Sequence, residues 1–360
     1  MNKKFIALAV AAAAFGTSAQ AFELYNKDGS TFSIGGHATV GVAGGESEHF
    51  AVEEKSPRIN MEATQDLGNG FTADVKAEWA MNMLNGGDNT FTTRLGYIGV
   101  SHDEYGRLAA GTQWSPYYAA AGVADLPIAF ANDFLYDNHG AFGTGRANSM
   151  VAYTNGFDFG NAGAFNFGLG WQGDSKATLR EDFDADGNSF DKETVNVEDR
   201  FQVALGYEIV GLGLNYAYTG GDITDGAIKE KAQSHVVSAN YGTYGKGLYV
   251  AGVYADNKYM NFATVATGNT SSKGLLEDSK AYEAILAYGL SNSLNLSVNY
   301  EQVQDSKASD TVYSTSAIQA EYDINPRVRA FVAYQFDLQG TGEYKKAKDN
   351  QYAAGVRFFL

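Results

Sequence analysis

Two residue types are scarce in this chain, and each shortage narrows the classes of fold. Cysteine is absent, and proline occurs only 4 times in 360 residues. Without cysteine an exported fold cannot depend on disulfides, while so few prolines leave nearly every backbone N–H able to donate in long β-ladders. Beyond the amino-terminal segment, no stretch approaches the roughly 18 consecutive apolar residues of a transmembrane helix, and the mean hydropathy is −0.27. These shortages exclude a disulfide scaffold and argue against a helical membrane protein.

Sequence motifs of enzymes are absent as well. The chain has no H-E-x-x-H and no G-x-S-x-G segment, and it has no thiol nucleophile. The nearest approach to a catalytic pair is His102 beside Asp103, and the histidines follow no metal-ligand spacing. We therefore expect a protein that is not an enzyme and needs no cofactor. The five histidines are His37, His49, His102, His139 and His235.

The amino-terminal segment has the pattern of a secretory signal peptide. Lys3 and Lys4 precede an apolar stretch that ends at Phe15, and small residues then lead to a cleavage site. The apolar stretch is too short to span a bilayer. We expect residues 1–21 to be removed and residues 22–360 to form a single domain, because no linker or break in composition divides them.

The balance of charge is acidic. The chain carries 42 Asp and Glu against 26 Lys and Arg, a formal net charge of −16. Loss of Lys3 and Lys4 with the signal peptide takes −16 to −18. This charge disfavours nucleic acid as a partner and favours attraction of cations, although a generic acidic surface explains most of these carboxylates equally well.

Several segments of about ten residues alternate between apolar and polar side chains. Near the carboxyl terminus Val356 and Phe358 share one face of an extended strand, and Arg357 lies on the other. The same alternation recurs at 200–209 and 294–301. The 23 tyrosines and 22 phenylalanines are numerous enough for aromatic girdles. This pattern indicates a lipid-facing β-barrel, whose average hydropathy stays low because only alternate residues meet lipid.

The spacing of turn signals predicts the number of strands. Tight turns alternate with longer polar connections, the pattern of bacterial barrels with short periplasmic turns and long external loops. Seven turns join seven hairpins, and one further strand at each terminus gives an all-β fold of about sixteen antiparallel transmembrane strands. The predicted turns lie at 67–70, 103–106, 157–163, 210–211, 242–247, 290–293 and 325–326.

Strand parity assigns charged side chains to the interior of this barrel. After the first loop Ile59 and Met61 share one face, so that Arg58, Asn60 and Glu62 must face inward. A lumen with many charges must be hydrated, because burying each of them dry costs several kcal/mol. The sequence therefore predicts a water-filled channel.

The third external connection, 115–147, is the longest and is rich in alanine, glycine and aromatic residues. Small residues suit a segment that packs against an inner wall, so we expect this loop to fold into the barrel. Its acids, Asp125, Asp133 and Asp137, would then face basic residues of the wall across a narrow aperture. Opposed charges at a constriction create a transverse field that orients dipolar solutes and penalises apolar ones.

Several motifs resemble those of the trimeric general porins of Gram-negative outer membranes. The matching segments are Thr93-Arg94-Leu95-Gly96-Tyr97-Ile98-Gly99-Val100, Tyr105-Gly106, Gly111-Thr112-Gln113-Trp114, Asp125-Leu126-Pro127, 22–29 and 146–155. The resemblance implies a homotrimer in the outer membrane, with a basic wall opposite acids of the third loop. The positions that match are Arg58, Arg94 and Arg146 on the wall, His37 where the family has a lysine, and Asp125 and Asp133 on the loop.

One external loop satisfies the spacing of an EF-hand calcium loop. Asp182, Asp184, Asp186 and Glu193 fall at its first, third, fifth and twelfth positions, with Gly187 at the sixth. Carboxylate oxygens in this arrangement can enclose calcium. No helical pattern flanks the loop, so a solvated acidic loop is the alternative.

From these patterns and this resemblance we expect a general diffusion porin of the Gram-negative outer membrane. It would pass ions and small hydrophilic solutes passively, with a mild preference for cations, and it would contact outer-membrane lipid and lipopolysaccharide. Two alternatives remain open at this point: a substrate-selective porin for sugars or anions, and a barrel that serves mainly as a surface adhesin or receptor.

Overall fold

The computed structural model describes residues 21–47, 49–86, 91–184, 187–225, 228–267 and 270–360. The predicted signal peptide, apart from Ala21, lies outside this part of the chain. Strands dominate the described residues, because the alternating, aromatic-rich segments suit a pleated, half-buried surface. The strands are β1 (Phe22–Lys27), β2 (Ser30–Gly45), β3 (Ala51–Glu54), β4 (Arg58–Gly68), β5 (Phe71–Met81), β6 (Phe91–His102), β7 (Gly106–Trp114), β8 (Arg146–Asp158), β9 (Ala164–Gln172), β10 (Ser175–Phe183), β11 (Ser189–Ile209), β12 (Leu212–Asp225), β13 (Ile228–Thr243), β14 (Lys246–Lys258), β15 (Phe262–Thr267), β16 (Thr270–Leu275), β17 (Asp278–Gly289), β18 (Leu294–Asp305), β19 (Asp310–Asn325), β20 (Val328–Asp337) and β21 (Gln351–Phe359).

The sheet closes into an antiparallel barrel of 16 strands, as predicted. β3 and β4 follow one another along one edge of β2 and act as a single barrel strand. β1 and β21 do the same along the other edge of β2, where β21 pairs with residues 37–45. At this seam the Leu360 N–H donates to the Gly36 carbonyl oxygen at 3.1 Å. Closure pairs the two edges of the sheet with each other, as a lipid environment requires.

All seven predicted turns are confirmed, and they lie at one end of the barrel, which we call the turn end. Between β11 and β12 the two turn residues Val210 and Gly211 have φ of 51° and 78°. Positive φ at both positions is the geometry whose twist matches the flanking strands of a two-residue hairpin. An eighth turn, at Asp28 and Gly29, joins β1 to β2 and was not predicted.

Side chains along the wall alternate between lipid and lumen. In β18 Leu296 and Val298 are 45% and 39% exposed on the outer surface, whereas Ser297 and Asn299 are 9% and 5% exposed on the inner surface. The inner side chains are buried here because a loop covers them from within the barrel.

That loop is the connection between β7 and β8, residues 115–145, which folds into the barrel as predicted; we call it the inner loop. It contains the short helices α1 (Pro116–Ala121) and α2 (His139–Phe142). Its apolar side chains, Tyr117 and Phe142 among them, join a hydrophobic cluster with the wall. No helix among the described residues is long and apolar enough to cross a membrane.

Three of the described strands lie outside the wall at the opposite end, the loop end. β10 pairs with β11 on one side and with β16 on the other, and β16 pairs with β15. Two external loops are therefore joined edge to edge into one small sheet. The sequence does not predict this contact, because it depends on pairing between segments far apart in the chain.

Candidate pore constriction

The inner loop begins with a helix for local reasons. The Ser115 hydroxyl accepts a hydrogen bond from the Tyr118 N–H at 3.1 Å, and Pro116 occupies the first turn, where its missing N–H is not needed. Tyr117 is fully buried against the wall, and its hydroxyl lies 2.6 Å from the Ser234 hydroxyl. The helix thus fixes the start of the loop against the inner surface of β13.

The wall also supplies hydrogen-bond partners to the backbone of the inner loop. Glu283 Oε1 accepts from the Phe134 N–H at 3.0 Å, and Gln319 Oε1 accepts from the Ala129 N–H at 2.9 Å. Side-chain amides of Gln202 and Asn299 of the wall, and of Asn261 just after β14, donate to carbonyl oxygens of the inner loop. Because buried backbone groups need partners, these bonds hold the loop at a fixed depth, where it narrows the lumen.

Arg94 reaches the aperture through a β-bulge. Trp79 of β5 pairs with Thr93 of β6, and the preceding residue, Glu78, pairs with Leu95, so that Arg94 is the extra residue. The bulge lets both Arg94 and Leu95 point away from lipid, which strict alternation does not allow. The Arg94 Nε donates to Glu78 Oε1 at 2.8 Å.

Arg58 lies beside Arg94 on the same part of the wall. Its Nη1 is 3.8 Å from Glu78 Oε1, and its Nη2 donates to the Ser56 hydroxyl at 2.9 Å. Arg94 Nη1 lies 3.4 Å from the same hydroxyl. Glu78 therefore offsets part of the charge of two arginines and holds both in place.

Arg146, at the start of β8, begins a row of contacts that leads into the inner loop. Its guanidinium is 5.9 Å from the centre of the Trp114 ring, and that ring stacks on Tyr118 at 4.3 Å. The Tyr118 hydroxyl donates to Asp125 Oδ2 at 2.5 Å. On its other side Arg146 Nη2 donates to His139 Nε2 at 3.0 Å.

The predicted acids of the inner loop occupy three different surroundings. Asp125 feels the positive charges of Arg58 and Arg146; burial raises the pKa of its carboxyl, and the two arginines oppose that rise. Asp133 is half-buried, and its strongest charged neighbours are Asp125 and Glu301. Loss of hydration, and then these two carboxylates, raise the pKa of Asp133 well above its usual value.

Asp137 lies apart from the basic wall. Its Oδ1 is 2.9 Å from the Nζ of Lys273, a residue of the external strand β16. Of the three loop acids, the structure thus places Asp125 in the field of two wall arginines and places Asp137 at the loop end.

His37 and a further arginine complete the basic wall. Arg357 Nε donates to the Thr39 hydroxyl at 2.9 Å, and His37 Nδ1 lies 3.0 Å from the same oxygen. Across β2, His37 is the register partner of Arg58. Sequence reasoning missed Arg357. Alternation in the last strand places its side chain inward, but it interacts with Arg58 only when β21 and β4 lie on the two edges of β2 in the closed barrel.

The external loop with calcium-loop spacing forms the hairpin of β10 and β11. Arg180 Nη2 lies 2.9 Å from Asp182 Oδ2 and 3.9 Å from Glu193 Oε1. Asp184 Oδ1 accepts a hydrogen bond from the Asn188 N–H at 2.8 Å. Asp186 lies outside the described residues. In the described part of the chain no group of three or more acidic or histidine side chains could hold a metal ion.

Calcium binding by this loop stays a prediction. Calorimetry of the intact protein with millimolar calcium tests it, and absence of heat would reject it.

Comparison with known proteins gives consistent matches. The Gram-negative porin family matches residues 7–342. The chain is 22% identical over 382 residues to outer membrane porin F of Salmonella typhimurium strain LT2, covering 99% of each protein. It is 23% identical over 371 residues to outer membrane protein S2 of Salmonella typhi, covering 94% of this chain and 93% of that protein.

Solved structures share the fold. A structure of Salmonella typhi OmpF in complex with daunomycin superposes with a TM-score of 0.76 at 19% identity, covering 94% of this chain and 100% of that one. An anion-selective porin from Comamonas acidovorans gives a TM-score of 0.69 at 14% identity, covering 92% and 100%. At these identities the likeness concerns the barrel and leaves solute preference to the residues of the aperture.

Proposed function

The chain belongs to the Gram-negative porin family, and from that premise we propose that it is a general diffusion porin for ions and small hydrophilic solutes. The observation that carries the proposal is a closed barrel whose inner loop and wall bring charged groups to one narrow aperture. Charges so placed require water around them, and passage through water needs no bound cofactor or covalent step. The protein is a passive channel of the outer membrane and not an enzyme.

The preference between cations and anions follows from two opposed fields. The mature chain has a net charge of −18, from −16 less Lys3 and Lys4, and such a field concentrates cations at the pore mouths. Arg58, Arg94 and Arg146 oppose it at the aperture. We infer a mild preference for cations that depends on Asp125 more than on the other loop acids.

Replacing Asp125 by Asn tests this inference. We expect the ratio of cation to anion permeability to fall about threefold, because the negative charge that opposes Arg58 and Arg146 at the aperture is removed. The measurement is the reversal potential of single channels in a potassium chloride gradient. The matched control is Asp137→Asn in the same loop, which should leave the ratio unchanged because Lys273 holds Asp137 away from the aperture. Equal shifts in both variants would contradict the inference, and absence of stepwise conductance in the unaltered protein would reject the porin function.

A channel that prefers anions is the second candidate. Arg357 favours it, since this fourth arginine lies beside His37 and strengthens the basic side of the aperture. The reversal potential of the unaltered protein decides between the two candidates by its sign.

We also propose that the mature protein is a homotrimer embedded in outer-membrane lipid and lipopolysaccharide. Large apolar side chains on the outer wall support this, including Ile98 at 62% and Ile318 at 49% exposed. β1 begins at Phe22, which fits removal of residues 1–21. Mass spectrometry should show Phe22 as the first residue, and electrophoresis without heating should show an oligomer; an uncleaved chain or a monomer would contradict the respective proposal.

A further inference from the structure

His139 is a titratable group at the aperture, and nothing in the sequence predicts a role for it. It opens α2 in the inner loop and is partly buried. Its Nδ1 lies 2.6 Å from the Tyr136 carbonyl oxygen, and its Nε2 lies 3.0 Å from Arg146 Nη2. A carbonyl oxygen can only accept and a guanidinium can only donate, so the proton must be on Nδ1 and the lone pair on Nε2. The contacts therefore require a neutral ring in one tautomer.

The groups around the His139 ring determine its position and its electrostatic surroundings. The Tyr136 ring packs against it at 4.9 Å between centres. The charged groups that face it are Arg146 of β8, Arg94 of β6 and Asp137 of its own loop, and Asp137 is already paired with Lys273. The other neighbouring strands contribute little charge to this side of α2. β10 meets the loop through the backbone of Thr178, and Arg200 of β11 lies over Phe142 at the far end of the helix.

We propose that His139 is a specificity-determining residue of the pore: its neutral ring holds Arg146 in the aperture, and its protonation makes the aperture more selective for anions. The proposal rests on the porin function above and goes beyond it. The step is the gain of one proton from solvent at Nε2. Both ring nitrogens then donate, so the bond from Arg146 is lost, and a second positive charge stands beside the guanidinium.

The direction of the pH effect follows from the surroundings of the ring. Burial, and then Arg146 and Arg94, lower the pKa of His139, while the Tyr136 carbonyl and the Asp137 carboxylate oppose them. The ring is therefore neutral at pH 7 and gains its proton only on the acid side of the usual histidine range. Anion permeability should rise as the pH falls through that lowered pKa.

His139→Gln tests the proposal. The glutamine carbonyl oxygen can accept from Arg146 but cannot gain a charge, so the two proteins should have the same reversal potential at neutral pH. Between neutral pH and about pH 4.5, the cation-to-anion permeability ratio of the unaltered protein should fall about threefold more than that of the variant. Protonation of Asp125 shifts both proteins in the same direction, so the readout is the difference between them. Superimposable profiles would overturn the proposal.

His139→Lys is the second variant, because it carries the positive charge at neutral pH. It should show at neutral pH a cation-to-anion permeability ratio about threefold below that of the unaltered protein, which is the part of the acid shift that His139→Gln lacks; a ratio equal to that of the unaltered protein at neutral pH would also overturn the proposal. His235→Gln is the control, since His235 is exposed on β13 beside Tyr216 and should leave the profile unchanged. Failure of the porin function is a separate result, seen as loss of stepwise conductance in the unaltered protein.

Discussion

Replacing Arg58, Arg94 and Arg146 together by glutamine should raise the cation-to-anion permeability ratio about tenfold, since three partly screened charges each contribute a fraction of the roughly 1.4 kcal/mol that a tenfold change requires. The three side chains occupy one wall of the aperture. Glu78 and Ser56 hold Arg58 and Arg94, and Arg146 donates to His139. Their removal weakens the basic side of the aperture, where Arg357 remains, and leaves the charges of Asp125 and Glu78 in place. Reversal potentials of single channels in a potassium chloride gradient measure the change.

The control for this experiment is Arg327→Gln. Arg327 is exposed in the turn between β19 and β20, at the turn end of the barrel. Its loss removes one positive charge from the chain but none from the aperture, so we expect the permeability ratio to stay within the scatter of the unaltered protein. If Arg327→Gln shifts the ratio by a third of the effect of the triple variant, the charge of the whole molecule governs selectivity and the aperture does not.

Phe142→Ala should loosen the inner loop without unfolding the barrel. Phe142 is 1% exposed, and the Arg200 guanidinium lies 5.3 Å from the centre of its ring. Truncation of a buried phenylalanine destabilises its surroundings by about 3–5 kcal/mol. The ladder of the sixteen barrel strands does not pass through this loop. Single channels should therefore conduct more current with larger fluctuations, while circular dichroism keeps its β-sheet spectrum.

The matched variant is Phe157→Ala, in which the same ring is lost from a residue 47% exposed near the turn end. Its channels should match those of the unaltered protein in conductance and noise. Quiet, unaltered channels in Phe142→Ala would show that the polar bonds from Glu283 and Gln319 suffice to hold the loop.

The barrel could be predicted from the sequence because its signals are local. Two-residue alternation fixes which side chains face lipid, and turn residues such as Val210 and Gly211 fix where strands reverse. The inner loop was predictable as well, since its small and aromatic residues differ from those of the polar external loops. Each of these features can be recognised within a segment of about ten to thirty residues.

The details of the aperture depend on contacts between distant segments. Arg94 points into the lumen because of a β-bulge, and this bulge exists only in the pairing of β6 with β5. Arg357 comes next to His37 only through closure of the barrel, and Asp137 is drawn away by Lys273 of another loop. His139 gains its partner because α2 packs beside β8. Composition and periodicity give no signal for such pairings. For Arg357, alternation in the last strand predicts only that the side chain faces the lumen.

The central claim is a cylinder with lipid outside and water inside, and its test uses the lack of cysteine in this chain. Single variants Glu62→Cys and Met61→Cys, adjacent in β4, place one thiol on each face of the wall. In lipid vesicles a membrane-impermeant, water-soluble maleimide should label Glu62→Cys rapidly and leave Met61→Cys unlabelled, whereas a lipid-soluble quencher should act only on a probe at Met61→Cys. The same reactivity at both positions, or the reverse assignment, would contradict the account.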